Sequence, residues 1–196
     1  AAEYSADDRL AGWMDKYQSQ LLVAVPQLPD DNFYRAVVLL IHHDEEGAFG
    51  VILNRPTNFP LREVWYAITE QDCELDSPIY TGGPVEGPLV AVHQRSELAE
   101  NEVIPGVYIS SEKENLEKLL TEEMGQCKIF SGYSGWGPGQ LEAELEVGSW
   151  FQTSARKIDI FSNSQNLWEE VAGRIGNAIM FRDEVEKIGK CDPSLN

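Results

Sequence analysis

The sequence predicts an α+β fold in which helices pack on a bent, mixed β-sheet in a single compact unit. Three observations predict this class. The 196 residues are enough to bury a core without disulfide or metal support. Apolar, β-branched runs intermingle with segments of helical spacing, which indicates both kinds of element. Short polar turns also join some neighbouring strands directly, so the strict alternation typical of a purely parallel sheet is broken.

The pattern divides the chain into an N-terminal helical extension over residues 1–19, one α/β domain over residues 20–185 and a C-terminal tail over residues 186–196. Within the extension, apolar residues recur at helical intervals. They are Leu10, Trp13, Met14 and Tyr17. We therefore expect an amphipathic helix over residues 7–18.

The first strands of the domain are apolar runs. Residues 21–25 predict a short strand. Residues 36–43 are almost wholly apolar, as expected of a strand that is covered on both faces. A polar turn over residues 44–47 leads into a return strand over residues 48–54, which predicts a hairpin that ends at Arg55-Pro56.

The next helix begins near Thr57 or Asn58 and spaces its apolar residues at helical intervals. These residues are Leu61, Val64, Trp65 and Ile68. Two short strands follow, at residues 79–81 and 89–93, on either side of Gly82-Gly83-Pro84.

A strand over residues 107–110 leads into the most clearly marked helix of the chain. Ser111 and Glu114 have the spacing of a capping box, in which each side chain accepts a hydrogen bond from the other residue's backbone N–H. The helix then presents one apolar face. That face consists of Leu116, Leu119, Leu120 and Met124.

The final third combines short strands, a glycine-rich loop and two helices. Residues 128–131 predict a strand that enters the loop, and a helix follows over residues 140–145. Two late strands are expected at residues 150–153 and 158–161. The polar run 162–165 then caps a last helix. Its apolar residues are Leu167, Val171, Ile175 and Ile179.

The charge of the chain excludes several classes of partner. Asp and Glu number 33 against 15 Lys and Arg, which gives a formal net charge of −18. Such a surface repels phosphate backbones, so we expect no direct contact with nucleic acid, whereas a basic protein partner fits the sign. No apolar run approaches the roughly 20 residues that span a bilayer, so we expect no membrane contact either.

The cysteines and the first residues predict the compartment. Cys73, Cys127 and Cys191 are too few and too widely spaced for a disulfide framework. The chain opens on an acidic, amphipathic run in place of the basic and apolar parts of a secretory signal. We therefore expect a cytoplasmic protein.

The glycine-rich loop over residues 131–140 is the most unusual feature of the sequence. A strand, a glycine loop and a helix N-terminus together can present backbone N–H groups to an anion. The glycines do not follow the dinucleotide-binding pattern, however, and no Gly-Lys-Ser/Thr follows them. They also suit a sharp turn in which Tyr133 and Trp136 pack on the core. Both interpretations stay open at this point.

The sequence predicts no catalytic set, metal site or cofactor. Ser134 lies in a near match to the nucleophile elbow Gly-x-Ser-x-Gly, but Trp136 stands where the closing glycine belongs. A hydrolase would also need a base from His42, His43 or His93. Because His42 and His43 are adjacent on one strand, their side chains point to opposite faces and cannot share a metal ion.

Several short motifs, in their order along the chain, resemble those of the YqgE/AlgH family of bacterial proteins. The resemblance runs from about Gln20 to Met180. Its motifs are Leu21-Leu22-Val23-Ala24-Val25-Pro26, Phe33 with Arg35, Gly50-Val51-Ile52-Leu53-Asn54-Arg55-Pro56, Gly82-Gly83-Pro84-Val85, Gly132-Tyr133-Ser134-Gly135-Trp136 and Gly139-Gln140-Leu141-Glu142.

This resemblance implies a cytoplasmic α+β protein with a bent mixed sheet, flanking helices and no established catalytic residues. The AlgH name implies a role in transcriptional regulation of alginate synthesis, although no DNA-binding motif accompanies it. The family pattern has Ala where this chain has Ser134, so a reaction common to the family cannot depend on that hydroxyl.

We therefore predict a non-enzymatic binding or regulatory protein whose partner is an unidentified protein or small molecule. Arg55 would contact an anion or a carboxylate of that partner. The candidate surface comprises Asn54, Arg55, Gly82, Gly83, Gly132, Tyr133, Gly135, Trp136, Gly139, Gln140 and Glu142. The alternative is an enzyme or a small-ligand-binding protein that uses the loop over residues 132–139 as an anion site.

Overall fold

The computed structural model describes residues 19–73, 77–122 and 125–189, with side chains as far as residue 180. Within these ranges, ten strands lie in one curled sheet and five α-helices pack on it. The strands are β1 (Gln20–Ala24), β2 (Val37–Asp44), β3 (Gly47–Ile52), β4 (Pro56–Pro60), β5 (Pro78–Thr81), β6 (Val85–His93), β7 (Asn101–Ile104), β8 (Val107–Ser110), β9 (Cys127–Trp136) and β10 (Trp150–Ser154). The helices are α1 (Leu61–Thr69), α2 (Lys113–Thr121), α3 (Gln140–Glu146), α4 (Lys157–Ile160) and α5 (Leu167–Gly189). The predicted α+β class is confirmed.

The sheet is mixed, as predicted. Its strands follow the order β10-β1-β2-β3-β9-β6-β8-β7, and β4 joins through β5. Neighbouring strands are antiparallel except β5 and β9, which run parallel. β9 pairs with β6, and in part with β5, between Cys127 and Tyr133, and it pairs with β3 over its last three residues. No helix in the described ranges is long and apolar enough to cross a bilayer.

The sheet is buried on both faces. Along β1, Leu21 enters a core that α5 covers, whereas Leu22 enters a second core that α3 covers. This alternation follows from the two-residue period of a strand, which sends successive side chains to opposite faces. A third core joins α1 and α2 to Ile129 of β9. The helices therefore cover most of the sheet, and what they leave open determines where a partner can bind.

Most predicted elements are confirmed close to their predicted bounds. They include the β2–β3 hairpin, the strands β1, β5, β8 and β10, and the helices α2, α3 and α5. Strand β6 and helix α1 are also confirmed, but they begin at Val85 and Leu61, away from their predicted starts. The helix predicted over residues 7–18 lies outside the described residues, as do residues 190–196 of the predicted tail.

One predicted strand is wrong in kind. The sequence predicts an extended segment over residues 158–161, but Lys157–Ile160 forms the short helix α4. Asp159 is the reason, because its buried carboxylate accepts hydrogen bonds from Arg156, three residues earlier, and from Arg174 of α5. The pairing of residues three apart fits a helical turn and not a strand.

The chain also stays in the sheet beyond the predicted end of the hairpin. Pro56–Pro60 forms β4, an edge strand that pairs with β5. An edge strand tolerates proline because its outer side needs no backbone donor. Helix α1 consequently begins at Leu61, after Pro60, and not near Thr57 or Asn58. The strand β7 was not predicted.

The predicted capping box of α2 is replaced by a contact from outside the helix. The N-cap residue is Glu112, which makes no side-chain capping bond. Instead, Glu100 Oε1 accepts hydrogen bonds from the backbone N–H groups of Ser111 and Glu112, each at 2.8 Å. It also accepts one from the Asn115 amide at 3.3 Å. A carboxylate at this end of a helix satisfies free N–H groups and favours the helix dipole.

The glycine-rich segment is mostly strand and not loop. β9 continues through Ser131 as far as Trp136, and only residues 137–139 turn into α3. Its partners come from elsewhere in the chain: Phe49 lies opposite Gly135, and Val85 lies opposite Tyr133. The sequence predicts an anion site formed by a strand, a glycine loop and a helix N-terminus. In the structure, the loop of that arrangement is only the three-residue turn 137–139.

Candidate functional site

The structure places the predicted site residues in three groups. Asn54 and Arg55 follow β3. A second group surrounds α3 and contains Trp136, Gly139, Gln140 and Glu142. The third group lies where β5 leads into β6 beside β9, and it contains Gly82, Gly83, Gly132, Tyr133 and Gly135. The three groups have different roles.

Asn54 and Arg55 hold the turn that precedes β2. Asn54 accepts a hydrogen bond from the Val37 N–H at 3.0 Å and donates one to the Arg35 carbonyl at 2.9 Å. Arg55 donates to the Tyr34 carbonyl, and burial lowers its pKa. These bonds fix Arg35 in the left-handed region, at φ 52°. Since the Arg55 guanidinium is committed to this turn and lines neither cleft described below, it is not placed to contact an anion there.

Trp136 is almost fully buried, but it is also one of the residues that line the acidic cleft described below. The residue is 5% exposed, and its ring packs against Phe33 and Trp150. The indole Nε1 donates a hydrogen bond to Glu144 Oε2 at 3.0 Å. The indole N–H is thus bonded within the chain, and recognition of a partner by Trp136 stays a prediction.

The remaining residues near α3 fix that helix to the sheet. Gly139 is its N-cap residue, in the left-handed conformation at φ 71°. Gln140 accepts a hydrogen bond from the Gly137 N–H and donates one to Glu144. Glu142 lies 2.6 Å from His43 Nε2, which ties α3 to β2.

Ser134 is not positioned as a nucleophile. It is fully buried, and its hydroxyl donates to the Gly82 carbonyl at 3.0 Å. The three histidines of the chain pair elsewhere, with Asp44, Glu142 and Ser110.

Glycine is required where the β5–β6 connection crosses β9. A Cβ at Gly82 would collide with the Gly132 carbonyl. Gly132 itself has φ +71°, and its Cβ would lie 2.6 Å from the Val85 carbonyl oxygen. The close approach allows β9 to bend at Gly132. Gly82 bonds to both neighbouring strands, because its N–H donates to the Ser131 carbonyl of β9 and its carbonyl accepts from the Ile52 N–H of β3.

An apolar cleft of about 580 Å³ opens beside this crossing. It lies on the sheet face formed by β4, β5, β6 and β9. The core that α1 and α2 cover ends next to it. Alternate residues of β4 and β5 line it, as the two-residue period requires, whereas consecutive residues of β6 and β9 take part. The lining includes Phe59, Val64, Ile79, Val85 and Leu89, the hydroxyl residues Thr81 and Ser131, and the charged residue Glu86.

An acidic cleft of about 400 Å³ follows on the same side of β9. Asp44 and Glu46 of the hairpin turn line it together with His42 and the aromatic residues Phe49, Tyr133 and Trp136. The hydrogen bond from His42 lowers the pKa of Asp44, so this carboxylate is ionised at neutral pH. Val85 lines both clefts, so the two clefts adjoin at this residue.

The chemistry of this surface does not suit an anion. Among the residues that the structure describes, no Lys or Arg lines either cleft, whereas three carboxylates, Asp44, Glu46 and Glu86, face them. Within the same ranges, no three His, Cys, Asp or Glu side chains are arranged to hold a metal ion. The surface instead offers apolar contacts at one end and negative charge at the other.

Two ionisable groups lie away from the clefts. Lys128 is 3% exposed, donates to the Ser162 carbonyl and lies 4.4 Å above the centre of the Tyr80 ring. Burial lowers its pKa to about 8. Burial also raises the pKa of the Cys127 thiol to about 12, with a smaller contribution from Cys73, so this thiol is unreactive at neutral pH.

Phe59 is the site residue that the sequence analysis missed. It is 67% exposed and forms a wall of the apolar cleft. Its position just before Pro60, at the end of a short extended run, was the available signal for an exposed aromatic residue on an edge strand. That signal was obscured because the helix was expected to begin near Thr57.

Comparison with known proteins gives a consistent result. The AlgH-like family model matches residues 21–180. A UPF0301 protein of Chlorobaculum tepidum is 40% identical over 156 residues, which cover 76% of this chain and 81% of that protein. A UPF0301 protein of Streptomyces avermitilis is 38% identical over 186 residues, which cover 90% and 94%.

Two solved structures are similar to this fold. The AlgH protein of Pseudomonas aeruginosa has a TM-score of 0.66 and 27% identity, with 80% of this chain and 86% of that chain covered. A protein of Corynebacterium diphtheriae has the same TM-score and coverage with 25% identity.

Proposed function

We propose that this chain, which belongs to the AlgH-like family, is a non-enzymatic cytoplasmic protein that binds a segment of another protein in its apolar cleft. One observation carries the proposal. The cleft leaves Phe59 and Val85 exposed at 67% and 38% of their surfaces, beside the glycine crossing that the family resemblance singled out. Grouped exposed apolar residues with a polar rim are typical of protein interaction sites.

The lining of the cleft favours a protein over a charged metabolite. Apolar side chains and hydroxyl groups dominate it, and among the described residues its single charged member is Glu86. A phosphorylated ligand in this cleft would find no Lys or Arg among the described lining residues. A partner's apolar side chain, in contrast, would bury surface against Phe59 and Val85 and gain about 25 cal/mol for each Å² removed from water.

Regulation through such a partner fits the charge of the chain. With a net charge of −18, direct binding to DNA is disfavoured. A role in transcriptional control, which the AlgH resemblance implies, would then pass through the bound protein. The isolated chain is expected to leave DNA unretarded in a gel even at low salt, where electrostatic affinity is greatest.

Photo-crosslinking tests the proposal at single-residue resolution. A photoreactive benzoylphenylalanine would replace Phe59 in the cleft and, as the matched control, Ile158, which is 73% exposed on α4 and lines neither cleft. We expect a defined protein adduct from position 59 in cells and none from position 158. No adduct at position 59, or the same adducts at both positions, would contradict the proposal.

The alternative, a small-ligand-binding protein, has its own test. A thermal-shift screen of nucleotides and phosphorylated metabolites would reveal it, because a ligand at 100 times its Kd stabilises the native state by about 2.7 kcal/mol. Given the carboxylates that line both clefts, we expect no shift.

A further inference from the structure

We infer that the partner segment lies extended along β9 across both clefts, with an apolar side chain in the apolar cleft and a Lys or Arg side chain in the acidic cleft. This inference rests on the proposed function and adds the chemistry and spacing of the bound segment. Its first support is that the two clefts adjoin, since Val85 lines both. A single segment can therefore occupy the two clefts at once.

The acidic cleft combines two features that attract a cation. Asp44, whose carboxylate is already hydrogen-bonded to His42, and Glu46 contribute negative charge, and none of the described lining residues is Lys or Arg. Phe49 and Tyr133 contribute aromatic rings, arranged edge to face with centres 6.3 Å apart. An aromatic ring attracts a cation placed over its face, and a guanidinium or ammonium group beside a carboxylate gains a charge-assisted hydrogen bond.

The spacing follows from the strand beneath the surface. Ser131 lines the apolar cleft and Gly135 lines the acidic cleft, four residues further along β9. At about 3.3 Å per residue, these positions are separated by roughly 13 Å, and the bend at Gly132 shortens this distance. An extended partner segment would cover it with three to five residues. The expected pattern is a large apolar residue followed or preceded, three to five positions away, by Lys or Arg.

Selection from a phage-displayed library of random 12-residue peptides tests this pattern. The selected peptides would be synthesised with a fluorescent label, and their Kd would be measured by anisotropy on the whole chain. We expect enrichment of an apolar residue and a basic residue at the stated spacing. The double variant Asp44→Asn, Glu46→Gln should weaken binding at least fivefold in low salt. The change Asp44→Asn is conservative here, because the new amide keeps an oxygen that can accept the turn's N–H bonds.

Two controls separate the inference from the function on which it rests. Glu114→Gln removes a charge from an exposed position of α2 that lines neither cleft, and it should leave Kd unchanged. Raising the salt concentration should reduce the difference between wild type and the double variant, because salt screens exposed charges.

The outcomes are distinguishable. Peptides that lose affinity with Phe59→Ala but not with the double variant would overturn the inference and leave the proposed function standing. Peptides whose binding ignores Phe59→Ala, or a selection that yields no binding peptide, would contradict both.

Discussion

Trp136 and Trp150 donate their indole N–H groups to the same atom, Oε2 of Glu144, at 3.0 and 2.8 Å. The two rings also meet edge to face, with centres 6.0 Å apart. Because Trp136 ends β9, Trp150 begins β10 and Glu144 lies on α3, this single carboxylate joins three elements beneath the acidic cleft. The tryptophan that the sequence predicts to be a recognition residue is thus part of the support of the site.

Removing this carboxylate should destabilise the fold. In Glu144→Ala, two buried indole N–H groups lose their acceptor, and each unsatisfied group costs about 1–3 kcal/mol. We expect the free energy of unfolding in urea, followed by tryptophan fluorescence, to fall by about 3 kcal/mol. Glu146→Ala, an exposed change on the same helix, is the matched control and should have little effect. Equal stability of the two variants would show that the shared bond is unimportant.

The contact of Glu100 with α2 predicts a second loss of stability. Burial alone would raise the pKa of Glu100, but the hydrogen bonds from Glu112, Ser111 and Asn115 together outweigh burial and lower it. The stabilisation is therefore present above the unfolded pKa and lost as pH falls through the lower folded value. Glu100→Ala should cost about 1–2 kcal/mol at pH 7, as other N-cap losses do. Glu100→Gln keeps one acceptor and should cost less; the reverse order, measured by urea unfolding, would refute this cap.

His93 predicts a weakening of the fold in mild acid. Burial, and then the charge of Arg95, lowers its pKa. The unfolded chain therefore binds a proton more readily than the native chain, so stability falls as pH drops below about 6.5, the ordinary histidine value, toward the folded pKa. The variant His93→Gln should therefore lose less unfolding free energy than the wild type when the pH falls from 7.5 to 5. An undiminished loss would mean that His93 does not contribute to it.

Lys128 predicts a gain of stability in alkali. Its pKa falls from 10.5 to about 8 on folding, so the unfolded chain binds the proton more tightly between these values. Stability should therefore rise as pH increases from 8 toward 10.5, by up to about 3 kcal/mol for such a shift. Lys128→Met should be more stable than wild type at pH 7 and should lack this rise. If the stability of the wild type instead falls between pH 8 and pH 10.5 as steeply as that of Lys128→Met, this account of Lys128 is contradicted.

Local patterns predicted much of this fold, and long-range contacts account for the errors. The apolar run of β2 and the helical spacing around Trp65 depend on neighbouring residues, so the sequence revealed them directly. The extension of β9 through its glycines depends on Phe49 and Val85, which are distant along the chain. In the same way, the cap of α2 comes from Glu100 and the helix α4 depends on Arg174 of α5.

The candidate site was predicted in part for the same reason. The glycines of the crossing could be singled out because several of them stand together in sequence. No local pattern could show that the Trp136 indole faces Glu144, or that Arg55 bonds to the Tyr34 carbonyl. Phe59 could be placed on the surface only after the curled sheet had brought β4 beside β9 through β5.

The central claim is that the apolar cleft binds a partner segment, and amide chemical-shift mapping tests it most directly. A peptide from the selection, or the partner region identified by crosslinking, would be titrated into the isotopically labelled chain. We predict the largest shifts at Thr81, Val85 and Ser131, with none at Glu146 on α3. Shifts centred on another face of the molecule, with the cleft amides unmoved at saturation, would contradict the claim.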